Sequence, residues 1–359
     1  METRLWKLNN SSVDDTLLQE AAQCLRDGEV VAFPTETVYG LGADGLNDKA
    51  VHKIFKAKGR PVDNPLILHI AQFEDLELLA REVSPLAKKL AAAFWPGPLT
   101  LIVKKTSIVP DSVSAGLDSV AVRMPVHPIA QRLIHLTARP LAAPSANKSG
   151  RPSPTDAKAV SEDLAGLIAG IIDGGPAKFG VESTVVDTTG RVPIILRPGS
   201  ITKEMLEKVV GEVLLDPAVL GNTAVVAKAP GMKYRHYAPV APMFLFVGTN
   251  ARAAIASAAA TCVKQGLKPA VLLGSSLQLA GVLAKNWQND SVILAKNLYS
   301  WLREFDRAGS DIILAEGLSE DELGLAVMNR LRKAAGNNIL RADLGQKLFV
   351  QNGTEPLFL

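Results

Sequence analysis

Four short polar stretches interrupt the apolar first part of this chain: KAKGRPVDNPL, APSANKSGRPSPT, FGVESTVVD and LRPGS. In the first, Lys56, Lys58 and Arg60 fall at the exit of a helical pattern, where cations complement the helix dipole. That is enough to account for Lys56. Lys58 and Arg60, however, flank a glycine and precede Pro61, and such a turn presents two cations to a polyanion. In the second stretch, Ser145, Asn147, Ser149 and Ser153 follow a buried strand pattern. They read either as a capped loop leading into a helix from Thr155 or as the rim of a ligand site. In the third, Ser183 and Thr184 stand at a strand start, and in the fourth Arg197 stands at a strand end. Arg123, in AVRMP, closes another apolar run, which places its head in a cleft. There it either pairs with an internal carboxylate or awaits a substrate carboxylate, and the residues alone leave the two equal.

What is missing narrows the chemistry. The chain has no H-E-x-x-H, no G-x-S-x-G and no cysteine–histidine pair, and its five histidines show no metal-ligand spacing. His52 and His135 lie on helical patterns, His127 precedes Pro128 at a helix start and reads as structural, and His69 sits in a strand beside the cationic loop. The inventory is cations, hydroxyls and amides without a nucleophile. It suits chemistry done by positioning and charge neutralisation, as in attack on a nucleotide phosphate.

One motif points elsewhere. Within FPTETVYGLGADG, GLGADG satisfies G-x-G-x-x-G. A dinucleotide fingerprint needs its first glycine at a strand end and its last at a helix start. Here the strand EVVAF ends at Phe33, and the next helix begins only after Asn47. The glycines therefore read as a tight backbone turn with close approach. No Walker P-loop is present.

These residues need elements to hold them. TLLQEAAQCLRDG, NDKAVHKIFKAKG, SPLAKKLAAAFW, HPIAQRLIHLTA and SITKEMLEKVVG read as helices. EVVAF, PLILHI, LTLIVKK, SVAVRMP, PLAAPSAN, GIIDGG, ESTVVDTT and VPIILRPG read as strands. Residues 1–210 are thus expected to form one α/β domain with a mixed sheet. Residues 211–242, rich in Pro, Gly and Ala, form a linker, and long linkers are often functional. In 243–359, MFLFVG, PAVLLGS, SVILAK and DIILAEG read as strands between helices over ARAAIASAAATCVKQG, LYSWLREFDRAG and DELGLAVMNRLRKAAG, which predicts a smaller Rossmann-like parallel α/β domain.

The totals agree. At 359 residues, 47% hydrophobic and 21% charged, the chain has the composition of a globular two-domain protein. A net charge of +3 fits an anionic small molecule and lacks the concentrated basic face of a nucleic-acid binder. The two cysteines, Cys24 and Cys262, form no C-x-x-C pair and read as buried small hydrophobes. No secretory leader or membrane span is read, so a cytoplasmic location is expected.

Taken in order, PTETVYGLG, Lys58-Gly59-Arg60, RPVDNPL, WPGPLT, AVRMP, Ser145-Ala146-Asn147, RPSPT, GVEST and LRPG resemble the YrdC-like family. The later APGMKYRHYAP is similar to the linker of its two-domain branch, the threonylcarbamoyl-AMP synthases. The resemblance implies a YrdC-like open twisted mixed sheet with a large positive cavity. It implies formation of L-threonylcarbamoyl-AMP and pyrophosphate from L-threonine, bicarbonate or CO2, and ATP, the first step toward N6-threonylcarbamoyladenosine at position 37 of tRNA. Carried over residue by residue, it implies a threonine pocket of Thr35, His69, Ser145 and Ser183, with Arg123 as carboxylate clamp. Lys58, Arg60 and Arg197 would neutralise the triphosphate, with Asn64, Ser119, Ala143, Asn147 and Ser153 beside it. Lys58, Arg60, Ser145 and Asn147 are the implied catalytic group. Mg2+ would be held through ATP phosphates and water rather than by protein ligands. Tyr234, Arg235, His236 and Tyr237 would form a flap over the nucleotide. A downstream threonylcarbamoyl transferase complex would be the partner, with weak tRNA contact and no membrane. The rival readings are an RNA-binding module, a carbamoyl-adenylate enzyme like the YrdC-like part of hydrogenase maturation factors, and a sensor whose C-terminal domain reads a second ligand.

Overall fold

The apolar triplet Val31–Phe33 is wholly buried, as a strand covered on both faces must be. In the computed structural model it is one of eleven strands in a single mixed sheet. The structure describes residues 2–8, 15–220, 236–276, 279–336, 338–344, 349–352 and 355–358. It divides into two compact units, Met1–Ser149 with Ser153–Tyr234, and Gly150–Pro152 with Arg235–Leu359.

The first unit runs β1 (Arg4–Lys7), α1 (Asp15–Arg26), β2 (Val31–Phe33), β3 (Gly40–Asp44), α2 (Asp48–Lys58) and β4 (Ile67–His69). It continues with α3 (Glu74–Leu79), α4 (Pro85–Phe94), β5 (Leu99–Lys104), α5 (Asp111–Ser114), β6 (Ser119–Arg123) and α6 (Pro128–Thr137). After these come β7 (Leu141–Ala142), α7 (Ala157–Leu164), β8 (Gly170–Asp173), β9 (Thr184–Asp187), β10 (Ile194–Arg197), α8 (Lys203–Val210) and β11 (Leu214–Leu215). The strand order is β1-β8-β2-β3-β7-β4-β6-β5-β9-β10-β11.

Two cores form on opposite faces. Val51, Ile54 and Phe55 of α2 and Leu90 of α4 pack on Leu68, Leu101 and Val122. On the other face, Leu18 and Leu25 of α1 and Ile129 and Leu133 of α6 pack on Val31, Phe33 and Leu141. These two helices cover only half of that face. The apolar cluster on the rest of it, Ile67, Ile102, Ala121, Val185 and Leu196, contains no helix residue.

The second unit holds a five-stranded parallel sheet in the order β14-β13-β15-β12-β16 and, near its end, an antiparallel pair, Phe349–Asn352 with Glu355–Phe358. Its elements are β12 (Met243–Val247), α9 (Ala251–Lys264), β13 (Pro269–Leu273), β14 (Leu283–Asn286), α10 (Ser291–Arg307), β15 (Ile312–Glu316), α11 (Leu323–Ala335) and β16 (Ile339–Arg341). A mixed sheet followed by a smaller parallel one is the expected fold. One segment differs. SVILAK, read as a strand, is the first part of α10, and the strand lies earlier, at Leu283–Asn286. The Asp290 carboxylate accepts the N–H groups of Val292 and Ile293, and that cap commits an apolar run of strand-like composition to the helix.

The glycine-rich segment also departs from expectation. Gly40 and Gly42 lie in β3, and only Gly45 stands in a turn, residues 44–47, closed by the Asn47 N–H donating to the Asp44 carbonyl at 3.2 Å and needing no positive φ. A Cβ at Gly42 would stand 2.8 Å from Cε1 of Phe33, and one at Gly45 2.4 Å from Cδ2 of Leu68 and 2.9 Å from the Pro140 carbonyl oxygen. The glycines are there for close packing between strands.

Candidate active site

Strand pairing sets one row of polar side chains across the half of the sheet whose apolar cluster contains no helix residue. His69 is in register with Arg123, Arg123 with Thr100, Thr100 with Val185, and Val185 with Arg197. Residues paired across neighbouring strands point to one face. His69, Thr100, Arg123 and Arg197 are all buried.

Arg123 does meet an internal carboxylate. Its Nη2 meets Oε1 of Glu36 at 2.5 Å, with both side chains about 5% exposed or less. Its Nη1 donates to Oγ1 of Thr37 at 2.9 Å and its Nε to the Gly97 carbonyl at 3.4 Å. The internal carboxylate is present. Three of the five guanidinium N–H donors are engaged among the described residues. The loop supplying Glu36 is closed by Thr35, whose Oγ1 donates to the Val38 carbonyl at 2.6 Å and accepts the N–H groups of Thr37 and Val38. Thr35 thus shapes this loop beside the row.

His69 packs its ring edge-on to Phe33, centroids 6.1 Å apart. Burial, with the charge of Arg123 beside it, pushes its pKa down to about 3. It stands as a neutral imidazole. At the far end of the row, the Ser183 hydroxyl bonds Oγ1 of Thr100 at 2.8 Å and accepts from Nη2 of Arg197 at 3.1 Å. Nε of Arg197 donates to the Ser183 carbonyl at 3.1 Å.

A second cationic group surrounds the end of α2. Lys58 is the last helical residue, not part of a loop, and Gly59 caps the helix with φ 61°. Only 3% exposed, Lys58 donates from Nζ to the Ser145 and Asn147 carbonyls, each at 2.5 Å. Its own carbonyl accepts the Ser149 N–H at 2.8 Å. Arg60 donates from Nη2 to the carbonyls of Asn64 (3.2 Å) and Pro65 (3.0 Å). Both cations therefore brace backbone while supplying charge. Asn64 is 1% exposed, and neither Nδ2 nor Oδ1 has a hydrogen-bond partner among the described residues. A buried amide in that state costs several kcal/mol unless something else bonds it.

The loop after β7 joins the two groups. Ser145 bridges Gly40 and donates from Oγ to Oδ1 of Asn147 at 2.6 Å. Farther on, Ser153 donates to Oε1 of Glu182 at 2.6 Å, next to Ser183. Phe179 and Gly180 donate their N–H groups to the Glu36 and Thr37 carbonyls, which ties this segment to the Thr35 loop. The first unit thus carries four buried cations in two groups, Lys58 with Arg60 and Arg123 with Arg197, and two buried carboxylates, Glu36 and Glu182.

Ser119 starts β6, on the face of Arg123 but four residues away, about 13 Å along a strand. Ala143 donates its N–H to the Ile67 carbonyl at 2.9 Å. His236 belongs to the second unit, its ring 5.6 Å from that of Tyr237, which in turn stacks on Tyr299 at 5.2 Å. Tyr234 and Arg235 lie outside the described residues. Reading by type missed Glu36, Thr37, Thr100 and Glu182. The available signal for Glu36 was a carboxylate between two threonines directly after a wholly apolar strand.

Among the described residues no three His, Cys, Asp or Glu side chains converge as a metal site, and no helix is long and apolar enough to cross a membrane. Residues 23–199 match a family model described as telomere recombination, and residues 201–336 one described as threonylcarbamoyl-AMP synthase, C-terminal domain. The threonylcarbamoyl-AMP synthase of Pyrococcus abyssi is 52% identical over 332 residues, covering 92% of this chain and 97% of that one. That of Bacillus subtilis is 46% identical over 351 residues, covering 95% and 100%. The crystal structure of P. abyssi Sua5 complexed with L-threonine superposes with a TM-score of 0.91 at 50% identity, covering 94% of this chain and 99% of that one.

Proposed function

The chain belongs to the threonylcarbamoyl-AMP synthase family, and on that premise we propose that it makes L-threonylcarbamoyl-AMP and pyrophosphate from L-threonine, bicarbonate or CO2, and ATP. The observation that carries the reading is that one unit buries four cations, Lys58, Arg60, Arg123 and Arg197, with buried hydroxyls and an amide that has no partner among the described residues. Arg123 and the row beside it suit an amino-acid carboxylate, with Thr35, His69, Ser145 and Ser183 shaping the pocket. Lys58, Arg60 and Arg197 offset triphosphate charge, and Asn64, Asn147 and Ser153 offer hydrogen bonds.

The threonine amine adds to CO2 to give a carbamate. A carbamate oxygen attacks the α-phosphorus, the bond to the bridging oxygen breaks, and pyrophosphate leaves. The reaction needs no protein nucleophile, so this chain contributes placement and charge. It is a nucleotidyl transfer. Mg2+ prefers phosphate oxygens and water, so it fits a site of cations and hydroxyls only as a companion of the ATP phosphates. The adenylate would pass to a threonylcarbamoyl transferase complex that modifies tRNA in the cytoplasm.

The test is pyrophosphate release from ATP with Mg2+ and bicarbonate, with and without L-threonine, and with L-serine as control. Release that requires both threonine and bicarbonate is expected. Release that ignores threonine would exclude this function.

A further inference from the structure

Glu36 is the feature that the proposed function leaves unused. It is 4% exposed, and its Oε2 is buried without a hydrogen-bond partner among the described residues. A carboxylate serving only to neutralise Arg123 would gain most from the two-pronged pairing that guanidinium favours. Here Arg123 gives Nη2 to one oxygen of Glu36 and Nη1 to Thr37 instead. The second oxygen is held off by a loop with little freedom. Thr35 closes that loop through its side chain, and the Glu36 carbonyl accepts the Phe179 N–H at 2.8 Å. A buried carboxylate oxygen left without a hydrogen bond is costly unless a ligand supplies the missing donor.

A guanidinium and a carboxylate side by side match an α-amino acid, which carries a carboxylate and an ammonium on one carbon. Resting on the threonine reading above, we propose that Glu36 is a catalytic residue that binds the substrate ammonium through Oε2 and takes a proton from it. The chemistry requires such a group, because an ammonium has no lone pair and cannot add to CO2. In the step, an N–H bond of the ammonium breaks and its proton passes to Glu36. The freed pair on nitrogen then forms the C–N bond to CO2, and the second nitrogen proton leaves to water as the carbamate forms. His69 is a poor alternative acceptor, since burial and Arg123 hold its pKa at about 3. His127, at the start of α6, feels the Glu36 charge and has an unpartnered Nδ1, but burial holds it too below the ordinary imidazole value. Among the described residues, Arg123 and His127 are charged or titratable groups placed against Glu36.

Glu36→Gln tests this, because the amide keeps the size and the acceptor facing Arg123 but cannot take the proton. Threonine-dependent pyrophosphate release should fall about 100-fold or more, the usual scale for losing a general base. The residual rate should climb with pH as hydroxide deprotonates the amine instead. Binding supplies a readout that a structural role would not move. Wild type should prefer L-threonine over (2S,3R)-2,3-dihydroxybutanoic acid, its analogue with hydroxyl in place of ammonium, and Glu36→Gln should lose that preference. Glu36→Asp, which keeps a carboxylate, should restore both the preference and the wild-type pH profile at a reduced rate, and it decides the matter if the glutamine variant does not fold. An unchanged pH profile and an unchanged preference in a folded Glu36→Gln protein would overturn the assignment. Lack of threonine-dependent release in wild type would instead overturn the reading beneath it.

Discussion

Lys58 is assigned two tasks, bracing the loop after β7 and supplying charge, and replacing it with methionine separates them. The loop is tied to the end of α2 by three bonds: Lys58 Nζ to the Ser145 and Asn147 carbonyls, and the Ser149 N–H to the Lys58 carbonyl. Hydrogen bonds from a charged donor contribute about 1.5–3 kcal/mol each, and removal strands two carbonyls. Relief from burying an ammonium offsets part of that. A net loss of about 3 kcal/mol follows, which corresponds to about 100-fold in the opening equilibrium of the loop. Amide hydrogen exchange reads this directly. In Lys58→Met, exchange at Ser149 should speed up by that factor. Ala146, whose N–H donates to the Tyr39 carbonyl at 2.8 Å, should follow it, and amides within α4 should not change. Wild-type exchange at Ser149 and Ala146, with pyrophosphate release lost, would refute the bracing role and leave Lys58 acting on substrate alone.

Three further outcomes are expected. His69 has a folded pKa of about 3 against an ordinary value of 6.5, so the unfolded chain binds a proton that the folded one refuses. Stability of the first unit is therefore full above pH 6.5 and falls as pH drops toward 3, by about 2 kcal/mol between pH 7 and 5, and urea melts of His69→Asn should lack that component. Gly45→Ala pushes a methyl into Leu68 and the Pro140 carbonyl, and separating β3 from β7 should cost about 1–3 kcal/mol in the melting curve. Arg60→Lys keeps the charge but loses the fork that spans the Asn64 and Pro65 carbonyls, so the ATP requirement should rise about 10-fold while that for threonine holds; an unchanged ATP KM would remove Arg60 from the phosphate group.

Much of the fold could be read from residue order because it is local physics. Asn47, Ser84 and Thr202 cap the helices that follow them, Pro85 and Pro128 open helices, and Gly59 ends one. Alternation of apolar runs with amphipathic periods announced both sheets. Reading failed where a single contact outweighed composition, as when the Asp290 cap drew SVILAK into α10. At the GLGADG glycines the close approach was legible and its form was not: Gly40 and Gly42 are strand residues packed on Phe33, and only Gly45 stands in a turn, packed on Leu68.

The candidate site shows the same division. Sequence by itself determined which cations, hydroxyls and amides this protein carries and that they lie at strand ends and in loops, because periodicity and capping act over a few residues. It also placed the chain in its family through motifs in order. Which of those groups meet was decided only by strand register. His69, Thr100, Arg123 and Arg197 come from β4, β5, β6 and β10, far apart in the chain, and share a row because pairing aligns them. The pairing of Arg123 with an internal carboxylate was likewise tertiary, since Glu36 lies 87 residues away and reaches it only when the loop after β2 folds over β6. Contacts at that separation depend on how strands assemble, and no local preference encodes them.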